Sequence, residues 1–364
     1  MLFYDFYFFY AVGLLLHNGG NPYDLEQYQS ALISIGYPLD KVVVPFPYPP
    51  WSLYFFYILG SLPFTGSLIA LLFVSIVGSL KALLNSLDTV SIKPPWMSPT
   101  KALFFSIAFV PLIKGIFFVQ LSWIPFISVL AGLRFLSQGR SLLAGSFFSI
   151  MLIKPHLWCA LYGFLLVEII RHRRIKLLIG LLLGALLQGG LSYTLFPFDF
   201  QFIVTRVFNS PHGAADAQII SSSLFDILAH LCNFSSLRGI GVGLGIFFGA
   251  VVALRSEEKD LANTILLRVI PLSLFFAPYA WSHDYILLFP FLMEQIFVLM
   301  DKHREEQILR VWVILALMLS GALILNIEVL FVLLLVPVLL RYKSMLLPPL
   351  LLQPKVTPHP RPLS

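Results

Sequence analysis

The sequence predicts an all-α, polytopic helical membrane protein with about 11 transmembrane helices. Of its 364 residues, 58% are hydrophobic and 12% are charged, and the mean hydropathy is +0.87. A soluble domain usually carries about 25% charged residues. The two cysteines, Cys159 and Cys232, are far apart in the sequence and do not have metal-ligand spacing. Composition therefore indicates that most of the chain lies in the bilayer.

Eleven apolar runs are interpreted as transmembrane helices, because crossing a bilayer takes about 20 apolar residues. They are 67–87, 101–119, 121–136, 140–153, 156–170, 176–196, 238–254, 264–280, 284–300, 308–325 and 327–341. Several runs between 121 and 170 are short for a span, so the count can differ by two. Trp51–Leu62 is interpreted as a further half-helix at the surface.

The basic residues give the orientation of the helices, because cytoplasmic loops are enriched in lysine and arginine. The strongest basic cluster, Arg171 to Lys176, is assigned to the cytoplasm. Alternation from this anchor leaves outside only five of the 24 lysines and arginines: Lys41, Lys114, Lys154, Arg206 and Arg238. The net charge of +6 is thus explained by the basic residues of the cytoplasmic loops. It gives no reason to expect nucleic-acid binding.

The chain is expected to form one integral membrane domain over residues 1–343. Residues 344–364 are rich in proline and should form a disordered cytoplasmic tail. Two outer-face loops, 1–66 and 197–237, belong to the membrane domain. Nothing before the first loop would carry it across the membrane, so either residues 6–16 are translocated as a short tail or an initial helix is missing. The missing helix, through a truncated gene or a misplaced start codon, is the favoured interpretation.

The first loop begins with an acidic residue, Asp5, followed by an apolar aromatic segment that stops at Gly19 and Gly20. A glycine pair commonly ends a helix, since glycine adopts left-handed backbone angles easily. Asp5 can simply cap this short helix, because Asp is a favoured N-cap residue. It can also belong to a functional site.

Other polar residues fall on the same outer face, in short turns between spans. Ionisable groups at membrane depth are costly and are often functional. Each also has a simpler interpretation: Lys154 can extend to lipid headgroups, Trp281 can belong to the interfacial aromatic belt, Gln120 can satisfy turn backbone, and His283 can cap a helix. Their common placement favours a site. Its candidates are Asp5, Gln120, Lys154, His156, Arg206, Trp281 and His283.

Short motifs in this order resemble glycosyltransferase family 87, also known as the DUF2029 group, with the membrane-embedded type C fold. They are Asp5 with the aromatics after it, Gly19-Gly20-Asn21-Pro22-Tyr23-Asp24, Tyr48-Pro49-Pro50, Val119-Gln120, Ile153-Lys154-Pro155 and Pro278-Tyr279-Ala280-Trp281-Ser282-His283. Val119 stands where the family usually has glycine, and Ala277 where it has serine. The change at Val119 is expected to matter little.

The resemblance implies an inverting transfer of a hexose, mannose in this family, from a polyprenyl-phosphate donor to a hydroxyl of a lipid or glycan acceptor. It assigns Asp5 as the base, because such a displacement needs a carboxylate to take the acceptor's proton. Cations should neutralise the leaving phosphate, and aromatic rings should contact sugar or lipid. The cationic candidates are Lys154, His156, His283 and Arg206. The aromatic candidates are Tyr7, Tyr10, Tyr48 and Trp281.

Three further expectations follow from the same sequence patterns. Lys154 and His283 should approach each other around a phosphate. No obligatory metal or other cofactor is expected, because the sequence shows no acidic cluster typical of a divalent-cation site. The expected location is the plasma membrane of the cell envelope, in contact with membrane lipids, with the active site on the outer face.

Two other functions suit many spans with intramembrane charge. A transporter or lipid flippase would be favoured by inverted repeats and polar residues at the midplane, but the sequence shows no convincing repeat and its polar residues gather on one face. A sugar-polymer ligase or polymerase of similar architecture would use the same face with a different donor. Transfer of label from polyprenyl-phosphate mannose separates these possibilities.

Overall fold

The computed structural model describes residues 4–38, 46–89, 98–199, 223–256 and 261–300, and every regular element in these ranges is helical. The α-helices are α1 (Tyr4–His17), α2 (Leu25–Ser34), α3 (Leu53–Gly60), α4 (Phe64–Thr89), α5 (Pro99–Ile107), α6 (Val110–Phe117), α7 (Trp123–Ser137), α8 (Ser141–Phe148), α9 (Cys159–Arg171), α10 (Ile175–Leu195), α11 (Leu224–Leu231), α12 (Leu237–Arg255), α13 (Leu261–Thr264), α14 (Ile270–Phe276) and α15 (Phe289–Met300). The described residues also form four 3-10 segments, Pro50–Ser52, Ser149–Ile153, Pro155–Trp158 and Ser282–Leu288, and a π-helical turn, Ile265–Val269.

Three of the described helices are long and apolar enough to cross a membrane. They are α4, α10 and α12, with 26, 21 and 19 residues. Large apolar side chains such as Phe73 and Leu186 are mostly exposed on them, as expected of surfaces that face lipid. These helices confirm the runs predicted at 67–87, 176–196 and 238–254.

The expected total of about 11 spans is not confirmed. The run 101–119 consists of two helices, α5 and α6, separated at Ala108 and Phe109. Pro111 lies in the first turn of α6, and proline clashes with a preceding helical turn, so it starts a new helix here. Hydropathy alone does not register this break, because both helices are apolar.

Other predicted runs also form helices shorter than the roughly 20 residues of a span. The run 121–136 contains the 15-residue α7, and 156–170 contains the 13-residue α9. The runs 140–153 and 284–300 combine a short α-helix with a 3-10 segment, and 264–280 begins at the end of α13 and continues through the π-helical turn into α14. The runs 308–325 and 327–341 and the tail 344–364 lie outside the described residues.

The first loop is itself helical and packs through close backbone contacts. A Cβ atom added to Gly13 in α1 would lie 2.4 Å from the carbonyl oxygen of Phe56, and one added to Gly60 would lie 2.3 Å from Gly13. Helices α1 and α3 therefore need glycine at both positions in order to touch. The half-helix expected at Trp51–Leu62 forms as Pro50–Ser52 and α3, and it buries Leu53 and Phe56.

The buried apolar residues form two clusters, and the polar turns lie where the clusters meet. The first cluster is largely aromatic and centres on α1 and α3, and it also includes Val119, Leu121 and Ile153. The second contains buried residues of α4 through α12, α14 and α15, including Trp123, together with residues of the segments between them such as Leu157. Gln120, Ser122 and Lys154 fall between these apolar residues in sequence. The fold thus collects polar side chains at the junction of two apolar cores.

Candidate functional site

Gln120 connects Asp5 to Lys154. Its side-chain amide nitrogen donates to the Asp5 carboxylate, and its amide oxygen accepts a hydrogen bond of 3.1 Å from the Lys154 ammonium. Asp5 lies in the first turn of α1, and Gln120 lies in the turn between α6 and α7. Gln120 therefore does more than satisfy turn backbone, and the Asp5 carboxylate is directed at a side chain from a distant part of the sequence.

Lys154 is 5% exposed, and three protein oxygens accept hydrogen bonds from its Nζ. The donor–acceptor distances are 3.1 Å to Gln120 Oε1, 2.9 Å to Ser122 Oγ and 2.9 Å to Asp284 Oδ1. An ammonium has three N–H groups, so all of them have partners. This arrangement excludes the interpretation in which Lys154 extends to lipid headgroups.

Pro155 explains why Lys154 points inward. Proline disfavours helical angles in the residue before it, and Lys154 adopts φ −130° and ψ 68° between two 3-10 segments. The chain bends at this residue, so the side chain leaves the helical surface and enters the junction between the two cores. The proline at position 155 thus favours the backbone conformation in which the Lys154 ammonium group is buried.

Asp284 is fully buried and is the counter-charge of Lys154. Its Oδ1 also accepts a hydrogen bond from the Ser122 hydroxyl, and its Oδ2 accepts one of 2.9 Å from the backbone N–H of Trp281. Buried charges persist when they are paired and well hydrogen-bonded. Both conditions are met here, at the start of the 3-10 segment Ser282–Leu288.

His283 and Lys154 approach the same carboxylate, which confirms their expected proximity. Nε2 of His283 lies 3.6 Å from Asp284 Oδ1, compared with 2.9 Å for the Lys154 Nζ. The anion between them is thus a protein carboxylate. Nε2 of His283 is buried and has no hydrogen-bond partner among the described residues. Burial, in addition to nearby positive charge, lowers the pKa of His283 to about 3. A neutral imidazole cannot serve as the phosphate-neutralising cation predicted from sequence.

The electrostatic environment of Asp5 suits proton exchange near neutral pH. Burial among apolar residues raises the pKa of Asp5 to about 7, although the Lys154 ammonium opposes this increase and the Asp284 carboxylate adds to it. The residue itself remains partly accessible. General bases work best when their pKa lies near the operating pH, so this carboxyl has the properties of one.

Aromatic rings border this polar cluster. The Tyr48 ring lies 5.9 Å from Lys154 Nζ and packs edge-on against Phe9. The carbonyl oxygen of Tyr48 accepts a hydrogen bond of 2.9 Å from the Tyr23 hydroxyl. Two proline-rich features of the first loop are thereby fixed to each other: the Asn-Pro-Tyr turn and the Tyr-Pro-Pro segment.

The other predicted residues are placed differently. The His156 and Tyr279 rings stack with centroids 4.0 Å apart. Trp281, two residues after Tyr279, is partly exposed. The Tyr10 hydroxyl donates to the carbonyl oxygen of Leu62, within the first aromatic cluster. Arg206 lies outside the described residues.

Sequence reasoning missed Ser122 and underrated Asp284. The run predicted at 121–136 includes Ser122, although Ser122 lies only two residues after Gln120 in the turn between α6 and α7. Asp284 is not among the predicted site residues, although it follows His283 directly in the sequence. The change at Val119 was also misjudged, because Val119 has φ +57°, a left-handed conformation that strongly favours glycine.

Comparison with known proteins gives one family. Residues 46–281 match the family model of glycosyltransferase family 87, and no curated protein or solved structure matches significantly. The matched range contains Tyr48, Gln120, Lys154, His156 and Trp281. More than half of the 364 residues are covered, and the helical, apolar structure agrees with the match. The chain therefore belongs to glycosyltransferase family 87 and is a membrane glycosyltransferase.

Proposed function

We propose that the protein transfers a hexose, mannose in the first instance, from a polyprenyl-phosphate donor to a hydroxyl of a lipid or glycan acceptor. The transfer occurs at the outer face of the plasma membrane and inverts the anomeric configuration. The observation that carries this proposal is the Asp5 carboxyl, held by the amide of Gln120 and raised in pKa to about 7. Membership of a glycosyltransferase family supports the reaction class.

In the proposed reaction, the acceptor hydroxyl oxygen forms a bond to the anomeric carbon while the bond from that carbon to the phosphate oxygen breaks. Asp5 takes the proton of the hydroxyl, and the bonding electrons leave with the polyprenyl phosphate. A phosphate monoester is a stable leaving group, so no general acid is required. One carboxylate suffices, in contrast to the paired carboxylates of glycoside hydrolysis.

The proposed contact for the donor is His283. Its buried Nε2 has no hydrogen-bond partner among the described residues, and a neutral imidazole with the proton on Nε2 can donate to a phosphate oxygen. A ligand at this position would satisfy an otherwise unpaired buried group, which is favourable. His283 also follows Trp281, whose partly exposed ring could contact the sugar.

The remaining predicted residues complete the proposed donor-binding set. Tyr48 offers a ring face next to the cluster, and His156 with Tyr279 offers a stacked aromatic pair. Tyr10 and Arg206 are included as proposed donor-binding residues because of the family resemblance. No metal takes part in the proposed mechanism, in which Asp5 and His283 act directly on acceptor and donor.

The test uses the full chain in nanodiscs with labelled polyprenyl-phosphate mannose and an envelope lipid extract as acceptor. Asp5→Asn is expected to lower transfer by about 100- to 10,000-fold, because it removes the general base. Asp24→Asn is the matched control. Asp24 caps α2 by accepting from the backbone N–H groups of Glu26 and Gln27, and Asn caps nearly as well, so transfer should be unchanged.

Three results would contradict all or part of the proposal. Full transfer activity in Asp5→Asn would mean that another acidic residue is the general base. Movement of labelled donor between leaflets without a new glycosidic bond would support the transporter or flippase. A wild type that transfers sugar only from a different donor would retain the glycosyltransferase class and reject mannose or the polyprenyl carrier.

A further inference from the structure

We propose that Lys154 is a positioning residue that orients Gln120 against Asp5, and that it does not bind the phosphate of the donor. This inference rests on the proposed function, because it concerns how the base of that reaction is prepared. It assigns Lys154 a different role from the one that its position in a Lys-Pro motif suggests. Three observations support it.

The first observation is that the ammonium has no free donor. Gln120, Ser122 and Asp284 accept its three hydrogen bonds at 2.9–3.1 Å, and the side chain is 5% exposed. A phosphate oxygen could bind Lys154 only by displacing one of these acceptors. Displacing Asp284 would leave a fully buried carboxylate without its counter-charge, which is strongly unfavourable.

The second observation is the direction of the Gln120 amide. An amide has one accepting and one donating end, and its neighbours decide which end points where. Because Lys154 can only donate, it must face the amide oxygen, and the NH₂ group is then turned to Asp5. Without the ammonium, the oxygen of Gln120 could turn towards the Asp5 carboxylate and repel it.

The third observation is the set of charges that face Asp5. Lys154 lowers the pKa of its carboxyl, whereas Asp284 raises it, and the neighbouring Tyr48 stays neutral because burial raises its pKa. The positive charge of Lys154 therefore acts on the Asp5 carboxyl across the neutral amide of Gln120, without a direct contact between the two residues. The carboxylate remains oriented but is not locked in an ion pair.

The experiment compares Lys154→Met with Gln120→Leu, the double variant and Lys81→Met as a matched control on the exposed surface of α4. Binding of labelled polyprenyl-phosphate mannose is measured separately from the turnover rate. A positioning role predicts a turnover loss of about 100-fold in either single variant, donor binding within about threefold of wild type, and a double variant no worse than the poorer single one. A loss of donor binding above tenfold in Lys154→Met alone would overturn the proposal.

Lys154→Met leaves Asp284 buried without its partner, so the paired variant Lys154→Met/Asp284→Asn is included to preserve folding. A second readout does not depend on transfer. Infrared titration of the carboxyl band that disappears in Asp5→Asn should give a higher apparent pKa in Lys154→Met and in the paired variant than in wild type. An unchanged pKa would overturn the positioning role, whereas absence of transfer by the wild type would count against the proposed function alone.

Discussion

Two acids of this protein, Asp5 and Asp226, are held in different ways. The Arg238 guanidinium contacts the Asp226 carboxylate directly at 2.7 Å, and His230 Nε2 lies 3.8 Å away. Asp5 receives the neutral amide of Gln120, while the nearby ammonium of Lys154 pairs with a different acid. The Asp226 carboxylate is thus held by a direct ion pair with a guanidinium. An intervening amide orients a carboxylate and still allows it to exchange a proton.

The sharpest test of this difference concerns stability. Asp284→Asn should lower the free energy of unfolding by about 3–5 kcal/mol, because it leaves the buried Lys154 ammonium without its counter-charge. Asp226→Asn should lower it by about 1 kcal/mol, since the Arg238 side chain is partly exposed. Denaturant titration of the purified protein in detergent measures both values.

Restoring neutrality should recover much of the loss at the first site. The variant Lys154→Met/Asp284→Asn buries no charge in this pair, so it should be more stable than Asp284→Asn alone. Equal losses in Asp284→Asn and Asp226→Asn would show that the two ion pairs have the same environment, and the contrast between the two regions would then be wrong.

The next test uses pH to separate the two acids. Asp5 ionises near pH 7 in the folded chain, compared with about 3.8 in an unfolded one. Its protonated form therefore stabilises the fold fully below about pH 4, and this contribution is lost as the pH rises through about 7. Asp5→Asn cannot ionise, so at pH 8 it should be more stable than wild type by up to about 4 kcal/mol, the free energy that corresponds to a pKa raised from 3.8 to about 7.

The difference between Asp5→Asn and wild type should disappear below about pH 4. Asp226→Asn should be less stable than wild type at pH 8, because it removes an ion pair. Unfolding curves of the three proteins at pH 4 and pH 8 check both statements. A destabilised Asp5→Asn at pH 8 would mean that the Asp5 carboxylate is stabilised by its surroundings in the charged form, which is incompatible with a base poised near neutral pH.

The sequence alone predicted much of the site, because polar residues in an apolar chain are conspicuous. The sequence around four polar residues, Asp5, Gln120, Lys154 and His283, is largely apolar. The structure brings all four to one junction. Ser122 was not predicted, since serine is common in membrane helices and signals nothing by itself. Its role depends on the direction of the 119–122 turn, which only the folded chain defines.

The helix count was harder to predict for a related reason. Apolar composition predicts that a segment is in the membrane but says little about where its helix breaks. The break before Pro111 occurs inside the apolar run 101–119, whereas the bends at Lys154 and Ser282 lie between predicted runs. Such breaks are tolerated at membrane depth where they are buried in protein. The bends at Lys154 and Ser282 also carry polar side chains of the site, namely Lys154, His283 and Asp284.

The smallest expected effect concerns the turns that follow α6 and α11. Each turn has one residue with positive φ: Asn233 at +50° after α11 and Val119 at +57° after α6. Asparagine adopts this conformation readily, whereas valine does so at a cost of about 1–2 kcal/mol or more. Val119 is nevertheless fully buried in the first aromatic cluster, so its side chain contributes packing that offsets the strain.

These two opposing terms predict an unusual order of stability. At an ordinary buried helical position such as Val129, Gly should be less stable than Ala by about 1 kcal/mol, because glycine has the poorer helix propensity. At Val119, glycine relieves the left-handed strain that alanine retains, so Val119→Gly should be no less stable than Val119→Ala, within about 0.5 kcal/mol. Denaturant titration of the four variants measures both differences. If Gly were less stable than Ala by the same amount at both positions, Val119 would not be strained, and the positioning of Gln120 would owe nothing to a left-handed residue before it.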